Sequence, residues 1–227
     1  MKWRAVVLTT GLALGLAAGP AQAGQPDEGE AVVVDSTRHA GRSLALTFDD
    51  GPNPVDTPRL LDVLHKHHVK AVFCLWGDFV EAHPELVRAI VAGGHKLCNH
   101  TMHHDDMGTW TPEQIKADLE ETNAAIHRAV PGVPIKYFRA PYGSWGQTPR
   151  VAAELGMTSI GWRLVISDWE PPGTDELVRR VMEGVTPGAV VLMHDGPNDR
   201  GQTVDAVDQV IPRLRADGWR FDLPARR

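Results

Sequence analysis

A distorted (β/α) barrel of about seven units is the α/β architecture expected of this 227-residue chain. Short apolar runs of strand length alternate with segments of helical periodicity between residues 43 and 223. Repeated β-then-α units imply parallel strands joined by helical crossovers. That many units suit a closed or nearly closed ring better than a short open sheet. An open doubly wound parallel sheet is the alternative.

The order along the chain begins with residues 1–23, which have the three-part layout of a secretory leader. Lys2 and Arg4 are followed by an apolar run and by Ala21-Gln22-Ala23, with cleavage expected after Ala23. The run falls short of the ~20 apolar residues of a membrane span, so no transmembrane segment is expected in the mature protein. Residues 24–42 are rich in Gly and charge and read as a flexible lead-in to a single domain, residues 43–227.

In that domain, residues 44–48 form an apolar strand stopped by Asp-Asp-Gly-Pro. Residues 57–67 have apolar positions at helical spacing, with Thr57-Pro58 as cap and first turn. Strands follow at 71–76 and 96–98, with a helix at 84–92 between them. Thr111 caps a long helix reaching about Val130, with an acidic first turn. Further strands are expected at 137–138, 158–164, 189–193 and 219–223, and helices at 149–155, 175–183 and 204–215.

Composition narrows the function. Apolar residues make up 42% and charged residues 23%, which fits a soluble chain with a core and not a disordered one. The net charge is −6. Without residues 1–23, which carry Lys2 and Arg4 and no acids, 21 basic and 29 acidic groups remain, a net of −8. That balance argues against nucleic-acid binding. The two cysteines, Cys74 and Cys98, fall in consecutive expected strands. Export permits a bridge between them, but apolar strand contexts equally suit free buried thiols, the reading favoured from sequence.

Polar clusters follow the expected strands directly, and in parallel α/β folds strand C-termini share the face that carries the active site. Asp49 and Asp50 end the first strand. Two adjacent carboxylates divide naturally into one neutralised by a metal and one free to take a proton. His100 and His104, at i and i+4, would share one face of a helical turn and can hold a divalent metal with Asp50, leaving room for water. His103 is a competing ligand at i+3. Arg139 can keep a carboxylate ionised, and a backbone N–H of the following Pro-Tyr-Gly turn can donate to an oxyanion. His194, with a carboxylate nearby, suits a general acid. The set reads as metal-assisted hydrolysis.

Five segments, Thr47-Phe48-Asp49-Asp50-Gly51-Pro52, His100-Thr101-Met102-His103-His104, Arg139-Ala140-Pro141-Tyr142-Gly143, Ser167-Asp168-Trp169 and Leu192-Met193-His194, stand in one order. They resemble the polysaccharide deacetylases with a NodB-homology domain, carbohydrate esterase family 4, over residues 43–223. The resemblance implies a distorted (β/α) barrel. It makes Asp49 the general base, Asp50, His100 and His104 the metal ligands, and His194 the general acid. It places His103 at a variable position, pairs Arg139 with Asp49, gives the Tyr142 backbone N–H to the oxyanion and sets Leu192 in the acetyl pocket. Asp168 would orient His194 or Arg139. One departure stands out: the fourth motif commonly reads Asp-x-x-Asp-Trp, and Val165 replaces its leading Asp.

Two His and one carboxylate suit Zn first, with Co, Fe or Ni compatible. Trp110, Trp145 and Trp169 follow motif segments and can stack on sugar rings, whereas Trp162 and Trp219 are expected in the core. The expected substrate is an acetylated glycan: N-acetyl groups of a GlcNAc-containing chitooligosaccharide or peptidoglycan first, O-acetyl esters of xylan second. An inactive glycan-binding protein is a lower alternative. The protein is expected to be monomeric, and secreted or associated with the cell wall.

Overall fold

The computed structural model describes residues 32–226; the expected leader and residues 24–31 lie outside the described residues. The alternation resolves into β1 (Ser43–Asp49), α1 (Asp56–Lys66), β2 (Val72–Leu75), α2 (Gly77–Ala82), α3 (Pro84–Ala92) and β3 (Lys96–Asn99). Then come α4 (Pro112–Ala129), β4 (Ile135–Phe138), α5 (Thr148–Glu154), β5 (Thr158–Ser159) and β6 (Leu164–Val165). The domain ends with α6 (Thr174–Gly184), β7 (Ala189–His194), α7 (Gly201–Ala216) and β8 (Arg220–Phe221).

The strand order is β5-β4-β3-β2-β1-β7-β6, with β8 added to β1, and every strand pairing is parallel. The sheet curls into a partial barrel, the (β/α)-barrel-like expectation over an open doubly wound sheet. β1 is buried along its whole length and pairs with β7 from Leu44↔Ala189 to Asp49↔His194. That register sets a carboxylate and an imidazole side by side at one end. Leu44, Leu46 and Phe48 point into the main apolar cluster beneath the helices, while Thr47 and Asp49 take the alternate, inner face.

Three local features differ from the sequence reading. The single strand expected over 158–164 is split. Arg139 Nε and Nη2 take the carbonyls of Ile160 and Gly161, and so divert them from a ladder. Part of the lead-in is structural: Val34 bridges Ile160 and Ser36 bridges Ala189, so residues 34–36 link the end of β5 to the start of β7. Helix α1 starts one residue before Thr57, whose hydroxyl is no cap; it accepts the Asn53 N–H and donates to Asp195 Oδ2 at 2.5 Å. Helix α4 does carry a capping box between Thr111 and Gln114.

The cysteines are also corrected. β2 and β3 run in register with Cys74 opposite Cys98, their Cα atoms 4.2 Å apart, and the pair is a disulfide. Apolar context could not distinguish this from free thiols, because it is the parallel register that brings the two side chains to the same inner face, beside Tyr137 and Ile160.

Candidate active site

A cavity of about 570 Å³ opens at the C-terminal ends of the strands. β1 delivers Asp49 and Asp50 to it, the segment after β3 His100 and His104, and β7 His194. Arg139, at the end of β4, is fully buried.

The His100–His104 segment is not the helical turn that i, i+4 spacing suggested. It is a loop with Thr101 and His104 at positive φ, 68° and 58°. Backbone N–H groups of Gly77 and Asp78 donate to the Thr101 and Met102 carbonyls, and the Met102 N–H donates to Asp118. These bonds replace helical ones and fold both imidazoles toward Asp50. Burial pushes the Asp118 carboxyl up to about 6.

Asp50 Oδ1 lies 3.2 Å from Nε2 of both His100 and His104. It is buried and accepts no well-aligned hydrogen bond. His100 Nδ1 donates to the Arg139 carbonyl at 2.8 Å, so in the neutral ring Nε2 is a bare lone pair facing a carboxylate lone pair. Such an arrangement needs a cation or a second proton between the atoms, and the three donors lie within 4.8 Å of one another. The donor set therefore fits a divalent cation with an open position. Burial alone would raise the Asp50 carboxyl, but the two imidazoles outweigh it and hold it well below the usual carboxylate range. Burial would lower His100, but Asp49 and Asp50 raise it on balance. A proton and a cation thus compete for the same lone pair.

On one flank, Asp49 Oδ1 accepts a bond from Arg139 Nη1 at 2.7 Å. The guanidinium is fixed by Thr47 Oγ1 and by the Ile160 and Gly161 carbonyls, so every nitrogen has an acceptor. On the other flank, Asp168 contacts His194 and not Arg139, which resolves the choice left open by the sequence. Burial lowers His194, and the Asp168 bond and charge, with Asp49 and Asp50, more than restore it.

Tyr142 and Trp169 are exposed at the cavity mouth, with Val165 opposite Leu192 in the β6–β7 register. Trp169 stands edge-on to His194 at 5.4 Å. Trp110 and Trp145 do not line the cavity; they pack against the apolar cluster around Met107, Ile115 and Phe138. Trp162, expected in the core, is a wall of the cavity, with the Arg139 guanidinium 5.8 Å from its ring. Trp219 packs against the main core as expected.

Sequence reasoning missed Arg200, which lines the cavity and donates to the Asp168 carbonyl. It also missed Thr203, which donates to Asp168 Oδ2, because both reach the site from the α7 end with no strand-end motif to mark them. Asp195 is buried against Gly51, where a Cβ would come within 2.4 Å of its carboxylate. Burial, and then the charges of Asp50 and Asp49, push its carboxyl up to about 7 despite the Thr57 bond.

Fold and site together define an α/β-barrel enzyme with a carboxylate–imidazole cluster able to hold a cation, set between an arginine-paired carboxylate and a carboxylate-paired imidazole. The chain belongs to the polysaccharide deacetylase family, whose model matches residues 36–160. It is 40% identical over 190 residues to a chitooligosaccharide deacetylase of Bradyrhizobium sp. (strain ANU 289), covering 78% of this chain and 87% of the relative. A solved peptidoglycan N-acetylglucosamine deacetylase superposes with a TM-score of 0.78 at 32% identity, covering 83% of this chain and 89% of the other. A CE4 family pseudoenzyme from Bacillus anthracis gives a TM-score of 0.75 at 31% identity, covering 80% of this chain; this chain spans only 63% of that longer protein. Among the described residues no helix is long and apolar enough to cross a membrane.

Proposed function

We propose that the protein is a secreted, zinc-dependent deacetylase that removes N-acetyl groups from GlcNAc-containing glycans, chitooligosaccharide or peptidoglycan. The observation that carries this reading is the placement of Asp49 and His194 on either side of the Asp50, His100 and His104 donors in one cavity. Asp50, His100 and His104 would hold the cation. A divalent cation supplies Lewis acidity toward a water and toward the acetyl oxygen.

Asp49, oriented by the hydrogen bond from Arg139, takes the proton of the attacking water. The Tyr142 backbone N–H, in a turn at φ 59°, donates to the oxygen of the acetyl carbon as charge builds on it. His194, its Nδ1–H fixed on Asp168, gives its Nε2 proton to the leaving amine. Leu192 and Trp162 bound the acetyl end, and Trp169 and Tyr142 offer faces to sugar rings. The relatives named for chitooligosaccharide and peptidoglycan favour an amide substrate. Residues 1–23, with the layout of a leader, support export. The presence of both flanking pairs around the cation donors favours an enzyme over a silent glycan-binding protein.

The test is acetate release from N-acetylated chitooligosaccharides, peptidoglycan fragments and acetylated xylan, with and without chelator. Acetate from the first two, abolished by chelation and restored by zinc, is the expected result. Acetate from xylan alone would make the protein an ester hydrolase. No acetate from any of the three with zinc bound would favour the binding protein.

A further inference from the structure

His104 is the less constrained of the two imidazoles beside Asp50. His100 is nearly fully buried, and a backbone carbonyl fixes its Nδ1. His104 sits in an irregular loop, its side chain is more exposed, and no backbone carbonyl meets its Nδ1. Its ring orientation must therefore come from other side chains.

Two aromatic residues supply it. The Tyr142 hydroxyl lies 3.1 Å from His104 Nδ1, and its ring meets the imidazole nearly edge-on at 4.7 Å. On another side the Trp76 indole stacks on the imidazole, 4.8 Å between centroids and 24° between planes. Trp76 is itself tied down. Its Nε1 donates to Asp78 Oδ2 at 3.1 Å, and Asp78 is also held by His103 Nδ1 at 3.0 Å. The Trp76 backbone N–H donates to the Gly51 carbonyl, next to Asp50, so the platform is tethered to the carboxylate that faces the same imidazole.

We propose that Tyr142 and Trp76 form a clamp that fixes the His104 ring, with Asp78 and His103 anchoring it, and so sets the affinity of the site for its cation. The inference rests on the proposed metal-dependent function. For Nε2 to offer a lone pair, the ring proton must reside on Nδ1, and there it is donated to the Tyr142 oxygen. The indole face blocks ring rotation about the Cβ–Cγ bond. Tyr142 thus acts through its side chain as a positioning residue, apart from any use of its backbone N–H. His103 becomes an anchor of the platform and not a rival ligand.

The test measures zinc affinity of the purified protein by competition with a chromophoric chelator, and the visible spectrum of the cobalt-loaded form. Tyr142→Phe removes only the hydroxyl and keeps the ring and the backbone N–H. Trp76→Leu removes the stack, and Asp78→Ala frees the indole from its anchor. Loss of an outer partner of a metal-ligating His typically costs about 10–100-fold in affinity. Tyr142→Phe and Trp76→Leu are each expected to weaken zinc by about that factor, with Asp78→Ala smaller and an altered cobalt spectrum in all three. Tyr142 and Asp78 are exposed, so their variants keep the fold even if Trp76→Leu does not. Zinc affinity unchanged in both Tyr142→Phe and Asp78→Ala would overturn the clamp alone. An unaltered protein that bound no zinc would overturn the proposed function, and the clamp with it.

Discussion

Asp168 grips His194 at two points: Oδ1 lies 2.7 Å from the ring Nδ1, and Oδ2 2.9 Å from the backbone N–H of the same residue. Thr203 holds Oδ2 as well, so the carboxylate cannot swing away. The ring is thereby fixed with Nδ1–H toward Asp168 and Nε2 toward the cavity, the orientation a proton donor needs.

The pH dependence follows. Burial would lower the His194 pKa, but Asp168, Asp49 and Asp50 raise it on balance, so the ring keeps its proton to higher pH than a free imidazole. Activity that needs the protonated ring falls as pH rises through that value. Asp168→Asn removes the main favourable charge, and the alkaline limb of the kcat profile is expected to move to lower pH. The rate should drop by roughly 10²–10⁴-fold, the usual range for a positioned acid. An unmoved limb would mean that His194 is not the group titrating there.

The Asp49–Arg139 pair separates activity from stability. Asp49→Asn still accepts the Arg139 bond but cannot take a proton, so kcat is expected to fall about 10²–10⁴-fold with zinc affinity retained. Arg139→Met instead strands a buried carboxylate and frees two backbone carbonyls. Removing one member of a buried pair costs about 3–5 kcal/mol, read as a lower midpoint in denaturant unfolding. An Asp49→Asn protein with full turnover would assign the base to another group.

Where the sequence was legible, chain punctuation and chemistry coincided. Asp49, Asp50, Arg139 and His194 each end an apolar run, and parallel strand ends converge on one face. The loop bearing His100 and His104 was not legible, because i, i+4 spacing fits both a helical turn and a loop pinned by Gly77 and Asp78 N–H groups. Helix α2 is six residues, too short for periodicity to reveal. Trp162 took a place in the cavity that the sequence did not mark, because it lies between two strands of two residues each, which fix no facing pattern. Trp145 packs into the core from a short loop before α5, where no periodicity sets a direction.

The Cys74–Cys98 bridge closes a loop with a sequence separation of 24. On the chain-entropy account a loop of that length contributes roughly 3 kcal/mol. The Cys74→Ala/Cys98→Ala double variant is expected to unfold at lower denaturant by that amount. Its zinc affinity should be unchanged, since the bridge sits within the strands below the site. Two free thiols in the unreduced native protein would contradict the bridge itself.

His95 offers a stability test away from the catalytic face. It is buried, and its Nδ1 accepts the Ala71 N–H at 3.2 Å, so protonation there would break that bond and place a charge in the interior. Burial first, then Lys70 and Lys96, lower its pKa to about 4. Below about pH 6.5 the unfolded chain takes up a proton that the native ring refuses. The contribution of His95 is therefore fully present above about pH 6.5 and is lost progressively down to about pH 4, by up to about 3 kcal/mol. His95→Gln can offer a carbonyl oxygen to the same N–H and does not titrate. The Tm of the variant should trail wild type at neutral pH, and the gap should close or reverse toward pH ~4.5 as only wild type pays the proton cost. A gap that stayed constant between those pH values would show that the native ring takes its proton as readily as the unfolded chain.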